Sequence, residues 1–84
     1  MDSDAVRRAL AAALEQVVPE VDFEHLQVDQ PLRDQLDMDS YDFLQLVIAL
    51  HERLGVDIPE SDYQRLATLS GAVEYLSSAA ASKR

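Results

Sequence analysis

The sequence has no cysteine and no tryptophan, and only two glycines and three prolines among 84 residues. Without cysteine it can use neither a disulfide framework nor thiolate metal ligation, so one small domain must fold on apolar packing alone. With so few glycines it cannot build a phosphate-cradling glycine-rich loop. Basic residues are scarce as well: 7 Lys and Arg face 16 Asp and Glu, a formal charge of −9. That balance excludes nucleic acid and anionic lipid surfaces as partners, because both require clustered cations to neutralise phosphate. No apolar run approaches the roughly 20 residues that cross a bilayer. Met1-Asp2-Ser3-Asp4 lacks the basic start of a secretory signal, so the expected location is cytoplasmic. The hydrophobic fraction of 48% is that of an ordinary globular protein, and acidity therefore does not imply disorder.

What is present is mostly helical periodicity. Val6, Leu10, Ala13, Leu14 and Val17 share one face of a first helix, with Arg7, Arg8 and Glu15 opposite. Ser3 or Asp2 can cap it, and Pro19 stops it near Val18. From Pro19 to Asp39 the pattern breaks down into a long structured loop, with Phe23, Leu26, Val28, Leu32 and Leu36 spaced to pin it onto a core. A short helical turn around Pro31 to Leu36 is compatible with the same residues. The clearest helix starts at Asp39 or Ser40, runs through Leu54 and ends at Gly55. Its core face is Phe43, Leu46, Val47, Leu50 and Leu54. Tyr41, Leu44 and Ile48 make a second stripe that so small a domain is not expected to bury fully, although a third helix could cover it. Glu60 to Leu66 suits a short third helix packing Tyr63 and Leu66. Thr68 caps a last helix with Leu69, Ala72, Val73 and Leu76 on one side, and the Ala/Ser-rich end from Ser77 to Arg84 is expected to fray.

Between loop and second helix lies Leu36-Asp37-Met38-Asp39-Ser40-Tyr41-Asp42. Alone, Ser40 or Asp39 reads as a helix N-cap, but a hydroxyl at that point also suits a phosphate-linked group, since unpaired N–H groups and the positive end of the helix dipole favour an anion. Asp37, Asp39 and Asp42 do not form a calcium loop. An EF-hand would need an oxygen ligand at Tyr41, glycine at Asp42 and glutamate at Ile48. His25 and His51 read as solvated residues with no metal cluster around them. No nucleophile with its base can be assembled, so no enzyme is expected.

With the long loop, Asp39-Ser40, the apolar helix behind it and Val56-Asp57-Ile58-Pro59 in this order, nearly the whole chain resembles the acyl carrier protein family. The resemblance implies an all-α four-helix bundle, with three main helices and a short third one, spanning residues 1–84. It implies a 4′-phosphopantetheine arm carried on Ser40, installed from coenzyme A by a phosphopantetheinyl transferase, whose thiol holds acyl groups as thioesters. It further implies that Asp39, Tyr41, Asp42, Leu44, Ile48 and Glu52 recognise acyl-activating, acyltransferase or synthase enzymes through basic docking patches on those partners. Asp37 stands where the family usually has glycine and Tyr41 where it has leucine. Gln45, His51 and Arg53 replace acids common in housekeeping fatty-acid carriers, which suggests a specialised carrier; a freestanding carrier for lipid, fatty acid or polyketide biosynthesis is expected, monomeric by default for a shuttle. An aminoacyl or peptidyl carrier fits the same residues, and so does a helical interaction module that is never modified.

Overall fold

Apolar residues recurring every three or four positions generate two fifteen-residue helices, and the remainder of the chain is arranged around them. The computed structural model describes residues 2–81. Helix α1 is Ser3–Val17, α2 is the single turn Leu32–Gln35, α3 is Ser40–Leu54 and α4 is Leu69–Ala81. Two 3-10 segments, Phe23–His25 and Glu60–Leu66, complete an all-α bundle in which α1 packs on α3 and α4.

The helix ends follow local chemistry. Asp2 accepts the Ala5 N–H at 2.8 Å and so caps α1. Gly55 closes α3 at φ 66°, its N–H donating to the His51 carbonyl at 2.8 Å. Thr68 Oγ1 accepts the Gly71 N–H at 3.1 Å to begin α4. Gly71 is required by proximity, since a Cβ there would stand 2.9 Å from the Arg65 carbonyl oxygen. The core is that of the helical stripes: Val6, Leu10, Leu14, Leu46, Leu50, Leu69 and Leu76 are all essentially sealed from solvent.

One expectation needs correction, and two gain detail. Val28 does not pin the loop by burial, being 48% exposed; its carbonyl instead accepts the Ser70 N–H at 3.0 Å. The expected short third helix is present over Glu60–Leu66 and is wound as 3-10, with i to i+3 bonds such as Asp62 N–H to the Pro59 carbonyl at 2.9 Å. The tighter winding aligns residues three apart, which turns Tyr63 and Leu66 inward together. Helix α4 continues to Ala81, through the first part of the end expected to fray. Alanine has the highest helix propensity, and Ala79 and Ala80 pack half-buried against the core; residues 82–84 of the expected tail lie outside the described residues.

The long segment between α1 and α3 is pinned by apolar side chains, with Leu32 and Met38 in the core and Phe23, Leu26 and Leu36 packed against it, and is tied further by polar contacts. The Gln35 amide accepts the Gln27 N–H at 2.8 Å and donates to the Gln27 and Gln30 carbonyls at 2.9 and 3.0 Å. Leu32, 1% exposed, is its main apolar anchor, and its N–H donates to the Ala67 carbonyl at 2.7 Å. The segment leaves the core through Asp37, whose φ of 54° lies in the left-handed region. Asp tolerates this better than most residues, whereas a β-branched side chain meets the following carbonyl. Glycine, with no Cβ, enters this region without that clash. We expect Asp37→Gly to leave stability unchanged or raise it by up to about 1 kcal/mol, and Asp37→Val to lower it by about 1–2 kcal/mol, in urea titrations. Equal midpoints for the two variants would refute the strain.

The 3-10 segment Glu60–Leu66 is tied to α4 by Tyr75, whose hydroxyl donates to Asp62 Oδ2 at 2.8 Å while the Arg65 guanidinium lies 4.7 Å over its ring. Burial, then the Asp62 hydrogen bond and charge, push the Tyr75 pKa above its ordinary value of 10.0. The raised folded-state pKa means that this stabilisation is complete below pH 10.0 and is lost as pH rises through the folded value. Tyr75→Phe should cost about 1 kcal/mol at neutral pH. It should also show a shallower loss of stability above pH 10.0 than the wild type in parallel denaturation series.

Candidate functional site

Residues before α3 fix where the helix starts, and with it the direction of the Ser40 side chain. Asp39 is extended, at φ −93° and ψ −176°, and its Oδ1 accepts the Asp42 N–H at 2.8 Å. In return the Asp39 N–H donates to Asp42 Oδ2 at a longer 3.4 Å, which closes a capping box. Phe43 N–H already donates to the Asp39 carbonyl at 3.0 Å. Of the four N–H groups that a helix start leaves over, the box satisfies two, and those of Ser40 and Tyr41 remain. Ser40 is exposed. Its hydroxyl therefore stands accessible at the positive end of α3, beside two N–H groups that point out of the helix end.

On one side of that hydroxyl, a cleft of about 680 Å³ separates α3 from the segment Glu60–Leu66. Phe43 and Leu44 of α3, Tyr63 of the 3-10 segment, and Pro31 and Ala67 from the crossing loops form its apolar walls. Phe43 and Tyr63 meet edge to face, with ring centroids 5.8 Å apart. Arg33 of α2 stands at the mouth: its Nη2 donates to Ser40 Oγ at 3.3 Å, and its guanidinium carbon lies 5.9 Å from the centre of the Phe43 ring.

Along the outer surface of α3, Tyr41, Leu44 and Ile48 are 67%, 42% and 43% exposed. The stripe left over by helical spacing is thus uncovered by the 3-10 segment, and it falls within about 60° of the helix circumference. Asp39 and Glu52 are exposed beside it. Asp42 is half-buried, with its carboxylate engaged in the capping box. Two of the residues that depart from the acidic pattern, His51 and Arg53, have partners in the bundle. His51 Nδ1 bonds the Val56 carbonyl at 3.0 Å and lies 3.4 Å from Asp57, while Arg53 donates to Gln16 at 3.2 Å. His25, read as merely solvated, bonds the Asp22 carboxylate.

The sequence reading did not place Arg33, Tyr63 or Phe43 at the site. Arg33 had one available signal: it and Arg53 are the only cations in the acidic span from Glu20 to Asp62.

A protein-family model described as a phosphopantetheine attachment site matches residues 4–76, which include all of these groups. The chain is 38% identical over 58 residues to the acyl carrier protein of Lactobacillus johnsonii, covering 69% of this chain and 72% of that protein. It is 36% identical over 58 residues to the acyl carrier protein of Renibacterium salmoninarum, with the same coverage of 69% and 72%. The acyl carrier protein of Acidothermus cellulolyticus is 35% identical over 57 residues, 68% of each chain. An all-α bundle, a family match across most of its length and relatives of this similarity agree: the chain belongs to the acyl carrier protein family, whose members bear a covalent 4′-phosphopantetheine group and are carriers rather than enzymes.

Proposed function

We propose that Ser40 is the point at which 4′-phosphopantetheine is attached, and that the protein is a monomeric acyl carrier acting in cytoplasmic lipid, fatty acid or polyketide biosynthesis. The observation that carries this reading is the exposed Ser40 hydroxyl at the first position of α3, next to two unpaired helix-end N–H groups and the apolar cleft. The residues present fit the group. The attachment needs an accessible nucleophilic oxygen, which Ser40 provides, and surroundings that tolerate a phosphodiester anion, which the helix start and the Arg33 guanidinium provide. The arm itself supplies the thiol on which acyl groups are held as thioesters.

What this chain contributes is position and recognition. A tethered thiol has a high effective concentration at any enzyme on which the domain docks. We assign the docking face to Tyr41, Leu44 and Ile48, rimmed by Asp39, Asp42 and Glu52. This is a small apolar centre with an acidic border, suited to a basic patch on a transferase or acyl-handling enzyme. The net charge of −9 speeds encounter with such a patch, and screening weakens that attraction as salt rises.

Incubation with coenzyme A and a broad-specificity phosphopantetheinyl transferase should add one arm to the wild type and none to Ser40→Ala, read by intact mass. A wild type left unmodified while a control carrier is loaded would count against the attachment, and would favour a module that only binds. Once loaded, Leu44→Ser and Ile48→Ser should each weaken docking to a loading enzyme by about tenfold, measured as a rise in KM. An unchanged KM in both variants would remove the docking face from this reading.

A further inference from the structure

Among the described residues five arginines carry the positive charge, and four have their heads placed away from Ser40 or without a recorded contact there. Arg7 lies over Phe23, Arg53 donates to Gln16 and Arg65 lies over Tyr75, while Arg8 is exposed on α1. Arg33 alone reaches the Ser40 hydroxyl. No carboxylate of the described residues forms an ion pair with it, although Asp34, Asp37, Asp39 and Asp42 all lie within nine positions along the chain. Its guanidinium is held from the side by the Phe43 ring, which is itself fixed in the core. A planar cation oriented in advance, with no counter-ion of its own and a donor 3.3 Å from a hydroxyl, is suited to receive an anion formed on that hydroxyl.

We propose that Arg33 is the phosphodiester anchor of this carrier: it pairs with the phosphate joined to Ser40 and holds the first part of the arm at the mouth of the cleft between α3 and Glu60–Leu66. The inference rests on attachment at Ser40. Without Arg33, a further negative charge would enter a turn crowded with carboxylates and be disfavoured there. With Arg33, the added charge gains a partner whose reach is already set. The pair is exposed, so its strength is modest and falls as salt rises. An arm held this way is released when a docking enzyme offers the phosphate stronger basic groups.

The test compares unmodified and loaded protein in the wild type, Arg33→Gln and Arg33→Lys, with loading verified by intact mass. At low salt, loading should change the wild-type melting temperature more favourably than it changes that of Arg33→Gln, by about 2–4 °C, and Arg33→Lys should keep part of the difference. The difference should vanish at about 1 M salt, where the screening length is ~3 Å. In the wild type, the Arg33 Nε–Hε signal in nitrogen-15 spectra should shift on loading. A packing role on Phe43 alone would alter unmodified and loaded forms equally. Failure of the wild type to load would overturn attachment at Ser40, and this inference with it. Loading with equal melting shifts in wild type and Arg33→Gln, and an unmoved Arg33 signal, would overturn the anchor alone.

Discussion

The reciprocal hydrogen bonds between Asp39 and Asp42 are the constraint on which the site depends, because they decide which residue is the first of α3. Successive residues of a helix are turned by about 100°, so a start displaced by one position would carry the Ser40 hydroxyl away from both Arg33 and the cleft. The capping box fixes the start, and the core face of Phe43, Leu46, Val47, Leu50 and Leu54 fixes the rotation. Each makes the other effective. A capped helix free to roll would not aim Ser40, and a packed helix with a frayed first turn would not hold it still.

The same division explains what the sequence discloses. Caps and stripes are local, so α1, α3 and the start of α4 could be read from Asp2, Gly55, Thr68 and the recurrence of leucine. The exposed stripe on α3 was legible by subtraction, as the apolar positions that the core face does not use. In the loop the apolar anchors Phe23, Leu26, Leu32 and Leu36 were legible, but its polar ties were not, because they have no periodic signature. Gln35 joins backbone groups five and eight residues away, and the Val28 carbonyl meets an N–H across the chain at Ser70. Counting apolar residues therefore assigned to Val28 a burial that its carbonyl makes unnecessary. The 3-10 winding of Glu60–Leu66 was hidden for a related reason: in seven residues, three-residue and four-residue spacing place nearly the same side chains inward.

Arg33 shows the limit most plainly. It lies seven positions before Ser40, on a four-residue helix, and the chain between them passes through the left-handed Asp37. No spacing rule relates residues across such a turn. Its isolation among acids was visible, but that it faces the hydroxyl follows from where Leu32 is anchored and how Asp37 redirects the backbone. The departure from glycine at Asp37 was legible as a difference; its physical meaning, a positive φ at the joint between loop and helix, needed the structure.

Leu44 belongs to two surfaces, and this connects docking with what happens at Ser40. It is one wall of the cleft and also the middle of the exposed stripe on α3. A partner that covers Leu44 to remove its apolar surface from water must also cover one edge of the cleft mouth, where Arg33 stands. An acidic border attracting such a partner would therefore bring basic groups close to the Ser40 hydroxyl in the same approach. Long-range attraction is nonselective among basic surfaces and fades with salt, whereas contact at Leu44 requires a matching apolar patch. On the proposed docking face, charge would govern how fast enzymes arrive, and the shape around Leu44 which of them can reach the hydroxyl end of α3.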